Sequence, residues 1–314
     1  MDKVPAIQVA NLHKKYSEIQ AVRGINFDVS QGEIFSLLGP NGAGKSTTIS
    51  MLSCLLKPSS GDACVMGYSI TREPGAVKAR IGVVPQEVAL YTDMSARENL
   101  AFWGKMYGLR GRMLGERVDE TLDTIGLAER QKGRLGSFSG GMKRRVNIGV
   151  ALLHRPDVLI LDEPTVGIDP QSRRHILDAI QALNRQGMTI LYTTHYMEEA
   201  QEISDRIAIM DQGCVIACGT QAELVKLVGE KDRVDLVLTS EPQTVQVQWQ
   251  AVEGVQRVFS EDDKLSLLVE DSNRVLPRLF DLAARNGTRI SSVQIQEPNL
   301  EAVFLQLTGR GLRD

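Results

Sequence analysis

Cysteine is scarce: Cys54, Cys64, Cys214 and Cys218 are the only four in 314 residues. So few in so long a chain make no disulfide framework. Cys214 and Cys218 could be half of a metal site, but no second Cys/His pair at ligand spacing accompanies them, so core packing in a reducing compartment is the expectation. Long apolar runs are lacking as well. The longest, such as 148–153 with Gly149 inside it, fall far short of the ~20 residues that span a bilayer, so any membrane link has to come through a partner. The start, Met1-Asp2-Lys3 and then Pro5, has no apolar stretch of the kind a secretory signal needs. An excess of positive charge is missing too. Lys and Arg number 36 against 39 Asp and Glu, a net charge of −3, which gives no basic footprint for a nucleic-acid partner.

What is present is an ordinary globular composition, 42% hydrophobic, in a length that suggests about two domains at a rough 150 residues each. Residues 7–12 and 25–29 alternate as half-buried strands do, and 34–38 is a short strand running into a glycine-rich turn. A helix is expected over 46–56, stopped by Lys57-Pro58-Ser59-Ser60-Gly61. Residues 81–84 form another strand before Pro85, and 87–153 is helical in pattern, with Asp93 and Ser95 as capping candidates. The compact runs 158–161 and 188–192 suit central parallel strands. Asp211-Gln212-Gly213 is a hairpin signal between 207–210 and 215–217. After Gly229-Glu230-Lys231-Asp232 the texture changes. Strands at 234–238, 256–259, 265–269 and 290–295, with helices at 275–284 and 298–307, predict a small appended α+β unit. The expected division is 1–228 and 229–314, with a helical subdomain at about 87–153.

Two motifs carry chemistry. Gly39-Pro40-Asn41-Gly42-Ala43-Gly44-Lys45-Ser46, followed by Thr47, fits the phosphate-loop pattern between a strand and a helix. Glycines let backbone N–H groups turn inward around phosphates, and the helix start adds its positive dipole end. Lys45 would reach the terminal phosphates and Ser46 would offer its hydroxyl oxygen to Mg²⁺. The apolar run 158–161 then ends in Asp162-Glu163. Asp162 is placed to hold a Mg²⁺-bound water, and Glu163 to act as general base on an attacking water. Lys143-Arg144-Arg145 is expected to be a solvated helix face.

These motifs, with Gln86, Ser139-Gly140-Gly141, Asp162-Glu163-Pro164-Thr165 and His195 in the same order and spacing, resemble the ATP-binding-cassette ATPases over about residues 5–225. The resemblance implies an α/β phosphate-loop NTPase core carrying an antiparallel β subdomain and a helical subdomain, with ATP and Mg²⁺ as ligands. It further implies a head-to-tail homodimer in which each ATP lies between the loop of one chain and Ser139-Gly140-Gly141 of the other. Tyr16 resembles the aromatic that stacks on adenine. Gln86 resembles the glutamine that senses Mg²⁺ and attacking water, His195 the histidine that contacts the γ-phosphate, and Asp169 the dimer-contact residue. Phe138, Met142 and Val166-Gly167-Ile168 depart from the usual residues, but none of them is a phosphate ligand.

Softer likenesses select the branch. The stretches 91–100, 106–109 and 138–145 resemble drug- and lipid-exporting members, and the tail 297–310 resembles the small C-terminal domain of antibiotic-resistance exporters. They imply an exporter ATPase, with a drug, lipid or glycan as cargo, at the cytoplasmic face of the inner membrane beside a membrane-embedded permease. A translation-associated member would carry two cassettes in one chain. A DNA-associated member would insert a long coiled coil between Gln86 and Ser139, where only about 50 residues lie. An importer ATPase shares the same core. The final unit could also act as a small-molecule sensor, which adds to transport without replacing it. Val88, Leu90, Tyr91, Met94, Leu100, Phe102 and Trp103 cluster after Gln86, and those left out of the core would form a groove for a helix of the permease.

Overall fold

Strand β1 (Ile7–Tyr16) turns at Ser17 into β2 (Ile19–Val29), so this hairpin is longer than its alternating stretches alone suggest. The protein is described by a computed structural model covering residues 5–227, 232–238, 243–261, 264–296 and 299–308. Strand β3 (Ile34–Leu38) leads into α1 (Lys45–Leu52). That helix stops well before the expected Leu56, because Cys54 takes a left-handed φ of 55° and the N–H groups of Leu55 and Leu56 both return to Ser50 O. Next come β4 (Ser60–Val65), β5 (Tyr68–Ser69), α2 (Pro74–Arg80) and β6 (Ile81–Val84). The helical stretch resolves into α3 (Ala96–Met106), α4 (Gly111–Thr124) and α5 (Gly140–Leu152). Then follow β7 (Val158–Asp162), α6 (Pro170–Arg185), β8 (Thr189–Thr194), α7 (Met197–Ile203), β9 (Arg206–Asp211) and β10 (Cys214–Gly219).

Two sheets result, one antiparallel in the order β2-β1-β4-β5 and one of six strands in the order β10-β9-β3-β8-β7-β6. In the larger sheet every recorded pairing is parallel except β9 with β10, which is closed by the expected hairpin with Gln212 and Gly213 at positive φ. The central strands are buried on both sides, which is why they are apolar throughout rather than alternating. Phe35, Leu37, Val158, Ile160 and Leu191 face one core together with β1, β2 and α1. Ile34, Leu159, Leu161, Ile190 and Tyr192 face a second core under α6 and α7. Leu100, one of the apolar residues clustered after Gln86, is fully buried in a third core that joins α3, α4 and α5. Among the described residues no helix is long and apolar enough to cross a membrane.

A second compact unit begins at Gln221. It contains α8 (Gln221–Leu227), β11 (Asp232–Leu238), α9 (Gln243–Gln250), β12 (Val255–Glu261), β13 (Lys264–Val269), α10 (Ser272–Arg285), β14 (Ile290–Gln296) and α11 (Leu300–Thr308). Its antiparallel sheet, β12-β13-β11-β14, shares a core of Val234, Leu236, Leu265 and Leu267 with Trp249 and Leu279. Residues 297–298 and 309–310, the two ends of the tail likeness, lie outside the described residues.

Of the two cap candidates at the entry to α3, Ser95 is the cap. Its hydroxyl oxygen accepts from Glu98 N, and the Glu98 carboxylate accepts from Ser95 N at 2.8 Å. The reciprocal bonds satisfy two otherwise orphaned helix-start donors. Ser95→Ala is expected to lower the unfolding free energy by about 1 kcal/mol, read as a lower urea midpoint at unchanged slope. An unchanged midpoint would show that the cap contributes nothing.

Candidate active site at the strand ends

Parallel pairing lines up Leu38 with Thr194 and Asp162 with Thr193. The carboxyl ends of β3, β8 and β7 therefore open at one place, where ligands of such sheets bind. The loop leaving β3 is tightly enclosed. A Cβ on Gly39 would lie 2.1 Å from Met210 O, and one on Gly44 would lie 2.6 Å from Ala21 O, at a φ of 105°. Only glycine fits either position. The second contact also seats the loop against the hairpin that carries Tyr16. Lys45 opens α1, only 4% exposed, and its ammonium donates to Gly39 O at 2.7 Å and Pro40 O at 3.1 Å. The same nitrogen lies 3.0 Å from Glu163 Oε1, whose side chain is 5% exposed.

The acid pair is fixed by the neighbouring strand. Thr193 Oγ1 donates to Asp162 Oδ1 at 2.7 Å and accepts from Glu163 N at 3.0 Å, so one hydroxyl orients both acids. Glu163 sits at a φ of 44°, a left-handed conformation that costs a non-glycine residue roughly 1–2 kcal/mol. Glu163 N also reaches Thr193 O at 3.2 Å. The Glu163 carboxylate gathers the other residues. Gln86 Nε2 is 3.5 Å from Oε2, and His195 Nδ1 is 3.3 Å from the same oxygen without hydrogen-bond alignment. Ser46 Oγ lies 3.3 Å from Asp162 Oδ1. A hydroxyl and a carboxylate side by side are hard oxygen donors, the set that suits Mg²⁺.

Behind His195 lies a buried polar knot. Tyr192 Oη donates to Glu199 Oε2 at 2.7 Å, and Thr194 Oγ1 donates to the same oxygen at 2.9 Å. Arg173 Nε is 3.5 Å from Glu199 Oε1, and its guanidinium stacks over Tyr196, whose ring contacts that of His195. Burial, reinforced by the Glu199 charge, pushes the Tyr192 hydroxyl well above its ordinary pKa, which keeps it a donor.

The structure thus brings together the loop 39–47, Gln86, Asp162, Glu163 and His195. The remaining sequence candidates stand apart from this cluster. Tyr16 is 45% exposed at the hairpin tip, with Lys14 Nζ over its ring. Exposed Ser139 caps α5, accepting from Met142 N at 3.2 Å. Among the described residues no hydrogen bond or ion pair joins Ser139 to the loop or the acids. A Cβ on Gly141 would come 2.2 Å from Ser172 Cβ, so that glycine lets α5 rest on the first turn of α6. Asp169 caps α6, and the Ser172 N–H it accepts holds its carboxyl below the usual carboxylate range.

Sequence reasoning missed Thr193, Glu199 and Arg144. The three threonines of β8 were visible, but which of them faces the acids depends on strand order. The basic triplet is corrected outright. Arg144 is 3% exposed and donates to Pro85 O and Gln86 O, both at 2.6 Å, while Arg145 donates to Ile125 O at 3.1 Å. These guanidiniums hold backbone carbonyls and do not form a solvated face.

Thr193→Val keeps the shape and removes the shared hydroxyl. Leaving Asp162 and the Glu163 amide short of a partner is expected to cost about 1–3 kcal/mol of stability, with ATP hydrolysis falling at least ~10-fold as the acids lose alignment. Denaturant unfolding and a phosphate-release assay check the two effects.

The family described as ABC transporter matches residues 22–166. The linearmycin resistance ATP-binding protein of Bacillus subtilis (strain 168) is 47% identical over 310 residues, 98% of this chain and 100% of that protein. The daunorubicin/doxorubicin resistance ATP-binding protein of Streptomyces peucetius is 38% identical over 311 residues, 98% and 94% of the two chains. Among solved structures, a dimeric ATP-binding cassette in a post-hydrolysis state, bound to ADP and Pi, is similar with a TM-score of 0.61 and 28% identity, covering 68% of this chain and 98% of that one. With similarity spanning almost its whole length and the strand ends arranged as described, the chain belongs to the ABC transporter family, as an ATP-binding and ATP-hydrolysing subunit that works with membrane permease components.

Proposed function

We propose that two copies of this chain power an exporter by closing head to tail on two ATP molecules at the cytoplasmic face of the inner membrane. The observation that carries this reading is the division of the site. Lys45, Glu163, Gln86 and His195 are gathered at the strand ends, while Ser139 and Gly140 are displayed at the surface on their own helix start. A hydroxyl and free N–H groups opening a helix suit an anion brought by another molecule.

In this reading the loop N–H groups and Lys45 take the β- and γ-phosphates, so Lys45 exchanges Glu163 for phosphate oxygen. Freed of its ammonium, Glu163 accepts a proton from the attacking water as that oxygen bonds to the γ-phosphorus and the bond to ADP breaks. Gln86 orients the water, and His195, braced from behind by the Glu199 knot, contacts the γ-phosphate. Ser46, Gln86 and Asp162 would hold Mg²⁺, which would supply charge neutralisation on the phosphate oxygens. Tyr16 stacks on adenine and Asp169 contacts the partner copy. The permease docks beside Gln86, where Val88 and Tyr91 are exposed and Tyr91 packs edge-on to half-buried Phe102 at 4.9 Å. Kinship with proteins named for resistance to linearmycin and to daunorubicin supports a drug-like cargo. The unit after Gln221 is an accessory domain.

Glu163→Gln keeps the shape and removes the base. ATP binding should persist while hydrolysis falls at least ~100-fold, and the variant should accumulate as an ATP-bound dimer in gel filtration. Near-normal turnover would remove Glu163 from the role of base. Adding Ser139→Arg to that variant places a cation where the partner's γ-phosphate docks. Nucleotide affinity of the separate chain should stay within about 2-fold, while the ATP-dependent dimer disappears. Lost affinity in the monomer would place Ser139 in the pocket of its own chain and overturn the head-to-tail reading.

A further inference from the structure

A buried arginine needs a reason, because an apolar side chain fills core space at less desolvation cost. Arg144 lies on the second turn of α5, and both of its terminal nitrogens are spent on two consecutive backbone carbonyls, Pro85 O and Gln86 O. Those carbonyls belong to a stretch outside any helix or strand, which no backbone ladder holds in place. The planar fork fixes the orientation of the Pro85–Gln86 peptides in a way a single ammonium does not. What that orientation controls is close by. Gln86 Nε2 stands 3.5 Å from Glu163 Oε2, at the limit of a hydrogen bond, so a shift of a few tenths of an ångström makes or breaks the contact.

The other end of the same helix is Ser139-Gly140-Gly141. Five residues of helix rise about 7.5 Å, a stiff and short lever. Its start is bedded against α6 through Gly141 on Ser172, and Gly140 faces Ile168 with 3.3 Å for an added Cβ. Arg144 therefore belongs mechanically to the helix start and grips the residue that touches Glu163.

We infer that Arg144 is a positioning residue that joins each chain's Ser139-Gly140-Gly141 to its own Gln86, so that docking this helix start on the partner's nucleotide sets Gln86 for hydrolysis in its own site. This rests on the head-to-tail reading above. The link makes hydrolysis in one site conditional on occupancy of the other, without any contact between the two nucleotides.

The test is a double-mutant cycle on the full-length chain with Arg144→Met and Gln86→Ala. Arg144→Met should lower kcat roughly 10-fold, with KM for ATP and the thermal midpoint little changed. In the Gln86→Ala background the same change should alter kcat by less than about 2-fold, because the residue it acts through is already gone. Arg144→Lys, which cannot span both carbonyls, should fall between wild type and Arg144→Met, and it takes the methionine variant's place in the cycle should that protein not fold. Losses that multiply in the double variant, or a raised KM with kcat intact, would overturn the assignment. Failure of the Ser139→Arg dimerisation test while the cycle still shows coupling would remove the link to the partner's nucleotide and leave Arg144 as the holder of Gln86.

Discussion

An ammonium and a carboxylate, both nearly withdrawn from water, face each other at 3.0 Å between Lys45 and Glu163. Removing one member of such a buried pair costs about 3–5 kcal/mol through the charge left behind. The pair therefore constrains everything that holds its two ends. Lys45 is fixed by the carbonyls of Gly39 and Pro40, in a loop whose Gly39 and Gly44 lie too close to Met210 O and Ala21 O for any side chain. Glu163 is fixed by a left-handed turn and by Thr193. Three strands must be in register for one salt bridge to form. A phosphate that took Glu163's place at Lys45 would also leave that carboxylate without its buried counter-charge.

Rigidity on one side of the site and adjustability on the other follow from burial. The strands behind the acids are packed on both faces, with Ile160 and Leu191 in one core and Leu161 and Tyr192 in the other. Gln86 comes from an exposed stretch after β6 and is held from α5. The acids belong to the sheet, whereas Gln86, 3.5 Å from Glu163, is tied to the helical layer through Arg144.

What was legible in the sequence is what is local along the chain. The phosphate loop and Asp162-Glu163 are contiguous strings whose strand and helix context can be read from neighbouring residues. The hairpin at Gln212-Gly213 and the cap at Ser95 are equally local. Thr193 is different, since its role exists only once β8 lies beside β7. The basic triplet 143–145 misled for the same reason. Charge favours solvent until the fold brings carbonyls to the guanidinium, and nothing within several residues of Arg144 announces Pro85 and Gln86. The end of α1 escaped because Cys54 takes a backbone conformation that its residue type does not advertise. Helix α9 and the short elements between α1 and β6 escaped because their apolar pattern is too brief to show a period.

The seat of Gly141 on Ser172 fixes how near the two helix starts can come. Large side chains interlock, and helices joined by them shift in steps from one set of holes to the next. Here one surface is bare backbone and the other is a short hydroxymethyl group. The contact is close but shallow, and with no side chain on the α5 side its spacing is set by Ser172 alone. A side chain at position 141 would meet Ser172 Cβ at 2.2 Å and so push the two helix starts apart.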